Sequence, residues 1–119
     1  MAIPSGSGTE VLKKFKWEEL DNSPEVAIIT GVANHIYTVV SMIFTNSRAG
    51  TGNLHVKITD SSAANPNFII KNQPIPADGT FVWNDKFSIV GTDRLYCYMG
   101  SASDDVDVYV TYIDQDWTS

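Results

Sequence analysis

Five acids crowd the C-terminal end of this chain: Asp104, Asp105 and Asp107, then Asp114 and Asp116. Carboxylates gathered in one loop are what a calcium ion needs, since it takes about six to eight oxygens. The run Ser103 to Asp107 (SDDVD) offers three of them, but strand alternation sends Asp107 to one face and the EF-hand spacing is absent. That run reads as a solvated turn followed by one outward-facing acid. His35 and His55 lie on separate strand patterns, and neither stands at a zinc-ligand spacing from the single cysteine, Cys97. Both read as partly exposed strand residues. The many serines never form the G-x-S-x-G turn that exposes a nucleophile. The glycines of Ala49 to Asn53 (AGTGN) precede no helix start, so they make a hairpin turn and not a phosphate cradle. No catalytic residue, cofactor or metal ligand is assigned.

Aromatic side chains offer a different chemistry, because exposed rings on small β-sandwiches can stack on sugars. Tyr96 and Tyr98 share one face of a strand. Pairing Arg94–Met99 with Val106–Ile113 as a hairpin would place Tyr109 opposite them. Such a ladder is either core and intersubunit packing or a carbohydrate platform. Cys97, alternating with Leu95 and Met99, reads as a small buried hydrophobe, and one cysteine excludes an internal disulfide.

The elements that must carry these residues are strands. Leu54, Val56 and Ile58 alternate with His55, Lys57 and Thr59, and Val106, Val108 and Val110 alternate with Asp107, Tyr109 and Thr111. Ile36 to Thr45 is apolar at both parities, which suggests a central strand covered on both faces. Shorter strands are expected at Glu25–Thr30, Asn67–Lys71, Phe81–Trp83, Phe87–Val90 and Arg94–Met99. Glu10–Trp17, with Lys13, Lys14 and Lys16, reads as a protected edge; a helix over Lys14–Leu20 is the alternative there. Loops rich in Gly, Pro, Asn, Asp and Ser separate these runs. The expected fold is all-β: an antiparallel, jelly-roll-like β-sandwich of about eight strands, with a flexible N-terminal arm and a short C-terminal tail. The arm is residues 1–8, the sandwich 9–113 and the tail 114–119.

At 119 residues the chain makes one domain. Its formal charge of −6 would repel phosphate backbones, so no nucleic-acid partner is expected. No apolar run approaches the roughly 20 residues of a membrane helix and no leader pattern opens the chain, so no membrane partner is expected either.

Both ends set apolar residues beyond hydrophilic stretches. Ile3 precedes PSGSG, and Trp117 follows Asp114 and Asp116. Segments of this kind can order on a neighbour. In Asn72–Asp78 (NQPIPAD), Pro74 and Pro76 are expected to stiffen an exposed Ile75. Ile3, Ile75, Asp114, Asp116 and Trp117 are therefore the expected partner contacts.

The opening MAIPSGSGTEVLK and closing DVDVYVTYIDQDWTS, with ANHIYTVVSMIFTN and FVWNDKFSIVGTDRLY between them, resemble a family of small virion structural proteins of tailed bacteriophages, cyanophages among them. Its further marks stand here as Thr45-Asn46, Thr59-Asp60-Ser61-Ser62, Ile75-Pro76-Ala77-Asp78-Gly79, Trp83 to Leu95 and Asp107 to Tyr112. Gly91-Thr92-Asp93 departs from the usual Gly-Asp pair by one residue. The resemblance implies a non-enzymatic virion protein assembled in the bacterial host cytoplasm. The leading expectation is a capsid decoration or cement protein that binds the major capsid protein and forms a homo-oligomer, a trimer or dimer. A neck, tail or fibre-attachment component is the nearest alternative, and a glycan-binding module a further one.

Overall fold

Alternation at period two is the dominant pattern of the sequence, and it folds as strands throughout. A computed structural model of the protein describes residues 9–60 and 66–117. The expected arm 1–8, with Ile3, lies outside them, as do Ser61, Ser62 and the last two residues. Among the described residues there are nine strands: β1 (Thr9–Leu20), β2 (Val26–Thr30), β3 (His35–Asn46), β4 (Gly52–Thr59), β5 (Asn67–Ile75), β6 (Thr80–Trp83), β7 (Phe87–Val90), β8 (Arg94–Met99) and β9 (Val106–Asp116). They form two antiparallel sheets. One runs β1-β9-β3, with β6 and β7 both on the far side of β3; the other runs β2-β8-β4-β5.

The inner faces meet in one core. Tyr37, Val39, Met42, Phe44, Val106, Val108 and Val110 come from the five-stranded sheet, and Leu54, Val56, Leu95, Cys97 and Met99 from the four-stranded one. Each fully buried aliphatic or aromatic side chain here contributes roughly 1.5–3 kcal/mol. β3 feeds this core through a bulge: Val39 pairs with Tyr112 and Ser41 with Thr111, leaving Val40 over. The extra residue changes which parity points inward, from Tyr37 and Val39 to Met42 and Phe44. That explains why Ile36 to Thr45 is apolar at both parities. Its outward residues, Ile36, Val40 and Ile43 among them, are half-buried, with no third layer over them among the described residues.

Lys14–Leu20 is strand, as the edge reading of Glu10–Trp17 expects, and not the alternative helix. The nine strands agree with the expected count of about eight. Other expectations change. β8 and β9 do not form a hairpin: they lie in opposite sheets, and the Gly100–Asp105 connection crosses the sandwich. Asp104 in that connection is buried, not a solvated turn residue. Its carboxylate accepts hydrogen bonds from Arg48 Nη1 at 2.8 Å and from the Ser101 N–H at 3.0 Å. A guanidinium thus supplies the positive charge. Among the described residues no group of three or more His, Cys, Asp or Glu could hold a metal ion.

Candidate assembly surface

Of the five expected contacts, the described residues include four: Asp114, Asp116 and Trp117 lie together at the end of β9, and Ile75 lies apart at the end of β5. Ile75 is the plainest correction. It ends β5 fully buried beneath the β3–β4 connection, because the Asn46 side chain draws its backbone inward. Asn46 Nδ2 donates to the carbonyls of Gly50 and Ile75, each at 2.9 Å, and of Pro76 at 3.3 Å. Its Oδ1 accepts from the Arg48 N–H at 2.9 Å. The flanking prolines are exposed while Ile75 between them is buried, so Ile75 is no exposed contact.

Asp114 and Asp116 are not tail residues. They close β9, which pairs with β1 on one side and β3 on the other. Asp114 is buried and receives Lys13 Nζ at 2.9 Å and His35 Nδ1–H at 2.7 Å. His35 Nε2 lies 3.4 Å from Asp116 Oδ1, so one imidazole bridges two carboxylates. Burial pushes the Asp114 carboxyl up, but the hydrogen bonds from Lys13 and His35 outweigh it and the group settles below its usual range. Lys13 is held above its usual range, chiefly by the same bond to Asp114. Tyr37 stacks on His35 with ring centroids 5.7 Å apart, and its hydroxyl accepts the Val32 N–H at 3.0 Å. Burial raises the Tyr37 and Tyr112 hydroxyls.

Trp117 follows directly. Its N–H donates to the Asn34 carbonyl at 2.9 Å, so the backbone is fastened to the β2–β3 turn. Its half-buried indole keeps Nε1–H away from solvent with no hydrogen-bond partner among the described residues. The turn beneath is tight. A side chain on Gly31 would run into the carbonyl oxygens of Gly91 and Asp93, and Gly91 adopts a φ of 63°.

The aromatic ladder is built differently from the expectation. Tyr98 is opposite His55 and Tyr96 opposite Lys57, on the outer face of the four-stranded sheet. His55 stacks on Tyr98 with centroids 4.7 Å apart and planes 11° off parallel, and is itself buried. Burial, then the charge of Lys71, lowers its pKa. Lys57 Nζ lies 5.9 Å and 5.5 Å from the Tyr96 and Tyr98 ring centroids and pairs with Glu25 at 2.8 Å. These groups engage one another, which leaves no open flat platform.

What remains open is the other outer face. The outward residues of β1, β9, β3, β6 and β7 include Leu12, Tyr109, Val82 and Val90, of which Leu12 is 69% exposed. Shallow grooves of about 200 and 320 Å³ lie on either side of Tyr109, walled by Lys16, Asp107 and Ile43 on one side and by Leu12, Lys14 and Thr111 on the other. On the inner side of β1, Val11 and Trp17 overhang the core edge, 50% and 40% exposed. β1 thus shows apolar side chains on both sides, Leu12 outward and Val11 and Trp17 inward, while Phe15 and Leu20 pack on the core.

No protein-family model matches the chain, and no curated protein matches its sequence. Solved structures do match its shape. A chain of the Bacillus endospore appendages, a family of disulfide-linked pili, superposes at TM-score 0.59 with 13% identity, over 99% of this chain and 97% of that one. A chain of infectious bursal disease virus, Gx strain, superposes at 0.56 with 6% identity, over 97% of this chain but 34% of that one, so the protein spans about a third of its length. A pentameric capsid protein from metagenomic phage sequences gives only 0.48 at 17% identity, covering 88% and 61%. At such identities the first two comparisons show the fold alone: a jelly-roll-like β-sandwich.

Proposed function

We propose that this protein is a non-enzymatic structural component of a phage virion, and that its place is on the head, as a decoration or cement protein bound to the major capsid protein. The observation that carries this reading is the open face of the five-stranded sheet. Leu12, Val82, Val90 and Tyr109 stand exposed there with no covering layer among the described residues, and β1 beside them exposes Val11 and Trp17 on its inner side as well. Exposed apolar side chains gathered on one sheet face favour a surface that is covered in an assembly. The sequence resemblance of the two ends supplies the particle, and the sandwich supplies a rigid body that adds interface with little bulk.

The glycan-binding alternative needs rings that lie free, whereas Tyr98 is stacked with His55 and flanked by Lys57. A neck or tail location uses the same surface and differs in stoichiometry. The test is reconstitution. Purified protein is added to particles of the encoding phage that lack it, and co-sedimentation is followed to saturation. Saturable binding that Leu12→Asp and Tyr109→Asp abolish, with both variants folded, is the expected result. Absence of binding, or binding indifferent to both substitutions, would overturn this face as the attachment surface.

A further inference from the structure

β1 is the longest edge in the molecule, and among the described residues it pairs with β9 alone. A free edge presents unpaired N–H and C=O groups to any strand that can lie beside it. We infer that this edge pairs antiparallel with the same edge of a second copy, about a two-fold axis at Lys13, joining two five-stranded sheets into one.

The register follows from faces and charges. A two-fold axis perpendicular to the sheet keeps each face on its own side, so even-numbered residues must meet even and odd must meet odd. On the outer face lie Glu10, Leu12, Lys14 and Lys16; on the inner face lie Val11, Lys13, Phe15 and Trp17, as their β9 partners Tyr109, Thr111 and Ile113 or Val108, Val110 and Tyr112 require. An axis at Lys14 sets Glu10 against Glu18 and Lys14 against itself. An axis at Phe15 sets Lys14 against Lys16 and drives the pairing into the irregular stretch after Trp17, where Glu19 has a φ of 59°. An axis at Leu12 does match Glu10 with Lys14, but it ends the pairing at Phe15 and sets Val11 against Lys13.

An axis at Lys13 gives the longest regular pairing, Thr9 to Trp17, and it sets Leu12 beside Lys14 and Lys13 against itself. Glu10 meets Lys16 of the second copy twice over, once on each side of the axis. Val11 meets Phe15, again twice, and Trp17 closes each end over Thr9. The one like-charge encounter, Lys13 with Lys13, is blunted because each ammonium is already held 2.9 Å from its own Asp114. Opposite charges and apolar pairs placed directly across from one another favour a register, and like charges reject it. The charges thus refuse the axes at Lys14 and Phe15, and the longer pairing favours Lys13 over Leu12. The contact is isologous, so it closes at two copies and cannot run on into a fibre. It is independent of the proposed place in a virion.

Sedimentation equilibrium and charge exchange test it. The full chain is expected to pass with rising concentration from its monomer mass of 13.1 kDa to twice that value. Glu10→Lys faces Lys16 across the axis and should weaken dimerisation by about tenfold or more. The double variant Glu10→Lys/Lys16→Glu should restore it, while Glu10→Lys/Lys14→Glu should not. Glu10, Lys14 and Lys16 are exposed, so melting temperatures stay close to that of the unaltered protein and report that every variant is folded. A chain that remains monomeric at all concentrations would overturn the inference. So would a dimer unaffected by Glu10→Lys, or one rescued only through Lys14.

Discussion

The ammonium of Lys13 on β1 lies 2.9 Å from the carboxylate of Asp114 on β9, across a separation of 101 residues. The same carboxylate holds His35 on β3 at 2.7 Å. One buried acid in the middle strand therefore fastens both of its neighbours, and with them the edge strand that carries the open surface. Asp114→Asn keeps the shape and removes the charge. With Lys13 half-exposed, the cost is held to about 1–2 kcal/mol, and urea unfolding measures it.

Acid should act on the same group. The folded Asp114 carboxyl lies below its ordinary value, so the folded state binds its proton less readily than the unfolded chain does. Its contribution is complete above the ordinary carboxylate value near pH ~4 and is lost as pH falls through the lower, folded value. Melting temperature followed downward from pH 6 should fall less steeply in Asp114→Asn than in the unaltered protein once pH drops below the ordinary value of ~4.

Truncation separates tail from strand. A chain ending at Asp116 keeps all of β9 and should fold nearly as well as the full chain, although it loses Trp117 and its bond to Asn34. A chain ending at Ile113 also loses Asp114, with its bonds to Lys13 and His35, and the last pairings to β1 and β3. It should melt well below the first, and circular dichroism against temperature reads the difference.

Asn46 is the polar centre of the other end. Asn46→Ala leaves the carbonyls of Gly50 and Ile75 and the Arg48 N–H without their side-chain partner. Buried groups stranded in this way cost about 1–3 kcal/mol each, and relaxation toward water recovers part, so a loss of about 2–3 kcal/mol is expected. Chemical denaturation checks it.

Cys97 should be silent. Its side chain is fully buried, and burial pushes the thiol up to about 12. A thiol reagent at pH 8 should label it only at the rate at which the protein unfolds, and immediately in denaturant. Rapid labelling of the native protein would contradict its place in the core.

Strand existence was legible in the sequence because alternation is a local signal: Leu54 to Thr59 and Val106 to Thr111 fall where expected, and the protected edge at Glu10–Trp17 is β1. What was hidden depends on distant partners. Nothing near Asp114 announces that Lys13 and His35 will neutralise it, and so a buried acid read as part of a tail. The bulge at Val40 disguised a change of face as a strand covered on both sides. A short loop between Met99 and Val106 suggested a hairpin, but the strands on either side belong to different sheets. Ile75 sits between two prolines, which reads as exposed loop until the side chain of Asn46 is seen to hold it inward.

The copy number of this chain in purified particles of the phage that encodes it, counted by quantitative mass spectrometry against the major capsid protein, tests the proposed role most directly. A head decoration requires on the order of hundreds of copies, matched to the symmetry of the shell. A few dozen or fewer would move the protein to the neck or tail, and none at all would contradict a structural role in the virion.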